Sequence, residues 1–207
     1  MRKRNRAFTL IELLVVVFII ALLAAILMPS LSSLFERGRK KAAMVELQQI
    51  QIAIALYEEN YRDFPPTLLE DLGLKQHNQI NAGIESLVLC LSSQHKNGSF
   101  YPFRESQLEN TDSDLSPVPL RSLTKTIFNT NELFEFMDPW GNPYLYFHYR
   151  DIKEATQQFY MLQGEKVSIT PNLKRTKTGN LRGASRYQIL SAGQDGILHN
   201  EDDLMSE

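Results

Sequence analysis

Two sets of carboxylates in this 207-residue chain stand where side-chain chemistry could matter. The first lies in "LSAGQDGILHNEDDLMSE", where Asp195, Glu201, Asp202 and Asp203 crowd around a glycine-containing turn. Hard oxygen donors on a loop are what Ca2+ takes, about six to eight of them, part carboxylate and part carbonyl. The alternating acids before the glycine and the glutamate after it that mark an EF-hand are missing here. Without a ligand, the same residues read as a solvated acidic tail. As an acid–base pair they would need a cleft that perturbs their pKa values, and a terminal loop rich in Asn and Asp makes a poor one. The second set is a single residue: Glu12 is the only ionisable side chain in the 21 residues from Phe8 to Met28. A carboxylate near one end of a membrane helix costs about 2 to 3 kcal/mol, so it takes a partner or snorkels to the headgroups.

The other reactive residue types point away from catalysis, and the chain reads as a non-enzyme. Cys90 sits in the apolar run "ESLVLCL", where a cysteine acts as a small core residue, and as the single cysteine it excludes an intrachain disulfide. His77, His95, His148 and His199 lack any zinc-ligand spacing, and the chain has no P-loop, nucleophile elbow or dinucleotide fingerprint. With 22 basic and 24 acidic residues and no basic patch interleaved with aromatics, it offers no nucleic-acid surface.

The elements that must position these residues begin with the apolar stretch. As a helix, residues 8–28 would span roughly 30 Å, the thickness of a bilayer core. No small-residue cleavage pattern follows it, so it reads as a retained anchor rather than a signal peptide. Pro29 predicts a kink or a locally melted turn. Beyond it, Leu31, Phe35, Gly38, Ala42, Val45, Ile52 and Leu56 mark one helical face, which Ala43, Leu47, Ile50, Ile54 and Tyr57 widen. The helix is expected to end before "DFPPT". "LLEDLGL" and "INAGIESLVLCLSS" read as helical, and residues 94–131 as a loop-rich insertion. "YLYFHYR", "QFYML" and "YQILSA" read as strands, predicting an antiparallel sheet over the helix's apolar face and hence an α+β fold. "DPWGNPY" is turn chemistry with Trp140 packed beneath it.

The start of the chain, "RKRNRAFTLIELL", combines Arg2, Lys3, Arg4 and Arg6, a small residue, Phe8, Glu12 and a long apolar run. In this it resembles the type IV pilin and type II secretion pseudopilin families. The resemblance implies a leader of residues 1–7, an assembly and membrane helix of residues 8–28, and a pilin-like periplasmic domain of residues 29–207. It further implies that prepilin peptidase cuts between Ala7 and Phe8 and methylates the new amine. The families usually place Gly before the cut, and the methyl of Ala7 is expected to slow processing. Glu12 then becomes the fifth residue of the mature chain and meets the amine of a neighbouring subunit. "DPWGNPY" and "SAGQDG…EDD" resemble elements of the major pseudopilins of type II secretion, whose last loop binds calcium. Carried over, the Ca2+ ligands are Asp195, Asp202 and Asp203 with oxygens of Leu190 and Ser191. The implied setting is the bacterial inner membrane, with the N-terminus cytoplasmic. The implied partners are copies of the chain in a filament, other pseudopilins, the peptidase, the inner-membrane assembly platform and, before assembly, lipid. A type IV pilin or minor pilin-like subunit for adhesion, motility or DNA uptake is the alternative, and a membrane-tethered enzyme a more distant one.

Overall fold

The computed structural model describes residues 9–74, 78–95, 98–116, 130–172, 179, 186–198, 200 and 202–205. The expected cut between Ala7 and Phe8, together with His77, His199 and Glu201, lies outside them. Two compact units divide the chain, residues 1–39 and 40–207.

In the first unit the described chain is almost wholly helix α1, which runs Leu10–Tyr61 and so continues into the second. From Leu10 to Met28 the large apolar side chains are exposed. Mean hydropathy reaches 3.2 in an 18-residue window, enough by length and composition to cross a membrane. The melted turn expected at Pro29 is not there, because the backbone is helical on both sides of it and through it. Proline removes one N–H from the ladder at a cost of about 3 kcal/mol, and in a helix this long the flanking turns hold the register.

From Lys40 onward, α1 buries Ala43, Leu47, Ile50, Ala53, Ile54 and Tyr57. The row through Val45, Ile52 and Leu56 remains 45–64% exposed, so the covered stripe is narrower than expected and turned to one side. Polar anchors beside it explain the choice of face. Glu46 accepts from the Tyr144 hydroxyl at 2.9 Å and from Gln107 Nε2 at 3.1 Å, and Gln49 accepts from the Tyr101 hydroxyl at 3.3 Å.

A 3-10 turn at Leu69–Leu72 leads to α2, Ala82–Ser92, in which every residue is buried. Its first turn lies so close to neighbouring backbone that a Cβ on Gly83 would stand 2.5 Å from the Tyr146 carbonyl oxygen. The short pairs β1 (Gln94–His95) with β2 (Gly98–Ser99), and β3 (Leu108–Glu109) with β4 (Glu135–Phe136), occupy the stretch read as loop-rich. The principal sheet is antiparallel in the order β5 (Leu145–His148), β8 (Tyr187–Ser191), β9 (Leu204–Met205), with Leu145 opposite Leu190 and Ser191 opposite Leu204.

The three expected strands therefore do not make one sheet. β5 stops at His148, where the chain turns into the short helix α3, Tyr149–Glu154. β6 (Gln158–Leu162) instead folds back on β7 (Glu165–Ile169) through Gln163 and Gly164, both left-handed, which is the two-residue hairpin geometry. β7 escaped the sequence reading because "EKVSI" is mostly polar, and all of it except Ile169 is exposed. Aromatic side chains fill the core between α1, α2 and the sheet. Phe136 stacks on Tyr144 at 4.9 Å, while Tyr144, Tyr146, Phe147 and Tyr160 are fully covered.

Candidate functional site

The first site is the opening of α1. The Thr9 N–H and hydroxyl both donate to Glu12 Oε2, at 2.9 and 2.8 Å, and the Glu12 N–H donates back to Thr9 Oγ1 at 3.3 Å. This reciprocal pair is a capping box, and it satisfies helix-end donors that hydrocarbon would leave bare. The Thr-x-x-Glu spacing in "TLIE" carries this signal in the sequence, where Glu12 was read for its charge alone.

The second site joins the "DPWGNPY" turn to the loop after β8. Asp138 builds the turn: its Oδ1 accepts from the N–H groups of Trp140 at 3.0 Å and Asn142 at 2.9 Å. Its Oδ2 accepts from the Ser191 hydroxyl at 2.7 Å, and Asn142 Nδ2 donates to the Gly193 carbonyl at 3.3 Å. Burial raises the Asp138 carboxyl above its ordinary value, while Ser191 and the turn's N–H groups pull it down. Trp140 packs against the core, as its place in the turn suggested. The turn thus fixes the point at which the chain leaves β8.

Beyond Gly193 the loop folds around Asp202. Asp202 Oδ2 accepts from the N–H of Gln194 at 3.0 Å and of Asp195 at 3.4 Å. Asp195 accepts from the Ile197 N–H at 2.8 Å and from Asn200 Nδ2 at 2.8 Å. Gly193 is required: at φ +66° an added Cβ would stand 2.6 Å from Asp202 Oδ2. Of the donors expected for Ca2+, Asp195 and Asp202 are joined through this loop. Leu190 and Ser191 end β8, Asp195 sits at the turn, and Asp202 and Asp203 lie just before β9. The hard-oxygen chemistry fits the ion. Ser191 Oγ is already committed to Asp138 and Gly193, so only the carbonyl of Ser191 is left to serve.

Residues 2–28 match the family model of the prokaryotic N-terminal methylation motif. Over 201 residues the chain is 24% identical to the type II secretion system core protein G of Escherichia coli K12, covering 97% of this chain and 90% of that one. The chain thus joins an N-terminal methylation motif to similarity with a type II secretion core protein along nearly its whole length. The protein of the same name from Pseudomonas aeruginosa is 27% identical over 145 residues, 70% of this chain and 75% of its own. That from Dickeya chrysanthemi is 30% identical over 67 residues, 32% of this chain and 44% of its own. No solved structure matches.

Among the described residues of this pilin-like chain, Cys90 and His148 have structural work. Cys90 is buried, and burial pushes its thiol up to about 12, which suits a core filler. His148 caps α3: its Nδ1 accepts from the Arg150 N–H at 3.3 Å, which leaves the proton on Nε2, facing Asp63 Oδ1 at 3.4 Å.

Proposed function

We propose that the chain is a structural subunit of a type II secretion pseudopilus, processed by prepilin peptidase and polymerised at the inner membrane to drive protein export. Similarity to core protein G along nearly the whole chain carries this reading. The methylation motif joined to a capped apolar helix supports it. The N-terminus lies in the cytoplasm and the second unit in the periplasm. Prepilin peptidase cuts before Phe8 and methylates the new amine. Glu12 meets that amine on a neighbouring subunit, where a buried carboxylate gains a cation in place of solvent. Copies of the chain and other pseudopilins are the partners, on an inner-membrane assembly platform.

The loop after β8 holds Ca2+ through Asp195, Asp202 and Asp203 with carbonyl oxygens of Leu190 and Ser191. In a chain with one cysteine, such an ion replaces the covalent closure that a disulfide would give. The chain's own part is to keep Asp202 within reach through Gly193 and to hold the strand end through Asp138.

The test is co-expression with a prepilin peptidase and a secretion machinery lacking its own major subunit. Loss of seven residues, an N-methylated Phe8 by mass spectrometry and restored export are the expected results. Processing without export would overturn the type II assignment and favour a pilus or minor subunit.

A further inference from the structure

A second group of carboxylates, far in sequence from the β8 loop, is enclosed between α2, the segment after β3 and strand β4. Glu85, Asp112 and Glu135 each bring a carboxylate oxygen within 4.8 Å of the others. Glu85, from the first turn of α2, is fully buried, and among the described residues neither of its oxygens meets a hydrogen-bond donor. Asp112 Oδ1 and both oxygens of the buried Asp114 are likewise without a donor.

The framework around them is built, not incidental. Glu135 is held from both sides, by Asn81 Nδ2 at 2.9 Å and by the Thr111 N–H at 2.9 Å. Asn78 Nδ2 orients Asp112 by donating to Oδ2 at 3.0 Å. Asn81 also donates to Thr111 Oγ1 at 2.9 Å and accepts from the Met161 N–H at 2.8 Å, tying β6 to the group. Among the described residues the Asn78, Asn81 and Thr111 donors go to Glu135, to Thr111 Oγ1 or to one oxygen of Asp112, and none goes to Glu85.

Buried carboxylates are normally paired or coordinate a metal. Burial pushes the Glu85 carboxyl well above its ordinary range, and Asp114, Glu135 and Asp112 add to that push. The charged neighbours behind that push are acids, and among the described residues no amine or guanidinium is paired with them. Size separates the candidate ions. Two oxygens on opposite sides of Ca2+ lie about 4.6 to 5.2 Å apart, whereas Mg2+ needs about 4.0 to 4.2 Å and keeps most of its water. Oxygens all within 4.8 Å of one another can share one Ca2+, and with Glu85 and Glu135 buried the set suits an ion that takes protein oxygens more readily than one that keeps its water.

We propose that Glu85, Asp112 and Glu135, with Asp114 beside them, form a Ca2+ site distinct from the loop after β8. Glu85 and the free oxygen of Asp112 are its directed ligands, and Glu135 is prepositioned by Asn81 and Thr111. The alternating "NTDSD" at residues 110–114 is the sequence signal, two hard-oxygen side chains spaced by one residue, completed by acids 27 residues before Asp112 and 23 after it. The site does not depend on the secretion reading, since it rests only on this domain's own packing.

The experiment is calorimetric Ca2+ titration of the detergent-solubilised full chain, in an Asp202→Asn background that disables the loop after β8. Thermal unfolding in Ca2+, in Mg2+ and in chelator accompanies it. One Ca2+ per chain should bind in that background and be lost on adding Glu85→Gln, with Mg2+ at least tenfold weaker. In chelator, Glu85→Gln should raise the melting temperature by relieving acid crowding, while abolishing the further rise that Ca2+ gives the parent. Asp112→Asn, which can still accept from Asn78, should weaken binding at least tenfold with the fold intact. No Ca2+ binding in the Asp202→Asn background would overturn the proposal. So would binding unchanged by both Glu85→Gln and Asp112→Asn.

Discussion

Replacing Glu12 by glutamine keeps a side chain that accepts from Thr9 while removing the charge, whereas alanine removes both. The two variants therefore separate capping from assembly. Glu12→Gln should insert and be processed normally yet fail to polymerise, as read by filament yield. Thr9→Ala should keep the charge and lose about 1 kcal/mol of helix-end stability. If Glu12→Gln assembles like the parent, the carboxylate's charge has no part in filament growth. A second residue-scale prediction concerns His148. Burial lowers its pKa below 6.5, against the pull of Asp63 and Asp151 and with the repulsion of Arg150. The unfolded chain then binds the proton more readily than the folded one. Stability present above pH 6.5 is lost as pH falls through the folded value, because the protonated ring can no longer accept from the Arg150 N–H. His148→Asn, still able to cap α3, should flatten that acid limb in pH-dependent thermal melts. Little of this was legible beforehand. The sequence marked Glu12 as exceptional and the histidines as unrelated to zinc. The spacing of Thr9 and Glu12 carries the first cap, whereas that of His148 depends on local backbone geometry that residue types alone do not declare.

At the scale of elements, α2 is wedged where only glycine fits. A methyl at Gly83 meets the Tyr146 carbonyl at 2.5 Å and the Tyr160 hydroxyl at 2.6 Å, and the first of these is backbone that cannot rotate away. Gly83→Ala should cost about 1 to 3 kcal/mol in denaturant unfolding, the range of overpacked cores. The Asp138 turn is the second fixed element. Asp138→Ala strands the Trp140 and Asn142 N–H groups and the Ser191 hydroxyl, for about 2 to 4 kcal/mol. Amide exchange in residues 193–198 should speed up with it, since Ser191 and Asn142 lose the anchor they share; unchanged exchange there would show that the turn does not restrain the loop. The elements were legible to unequal degrees for physical reasons. Periodic apolar runs announced α1, α2, β5, β6 and β8, each buried on at least one face. β7 and β9 gave no such signal, one being polar and exposed and the other two residues long within an acidic stretch. The pairing of β6 was hidden because Gln163 supports the left-handed turn without being Asn or Asp.

For the whole molecule, the motif at residues 2–28 and the acids of the β8 loop read directly from the sequence. The enclosed acids did not, because Glu85, Asp112 and Glu135 become neighbours only when α2 packs against β4. Processing follows from the proposed reading at this scale: Ala7→Gly should increase the cleaved fraction in a pulse-chase, the subsite being relieved of a methyl. Equal rates would remove Ala7 as a determinant. The cap at the start of α1 has one more consequence. Both of its members lie beyond the expected cut, so a processed chain in the bilayer already has its helix end in order. On the proposed reading, an incoming amine meets a carboxylate whose Oε2 is already held by Thr9, and Thr9 does not take Oε1. The cap then works as a cradle for the proposed pairing: Thr9 fixes Glu12 in one orientation, so each chain presents its charge ready aimed rather than searching for a neighbour.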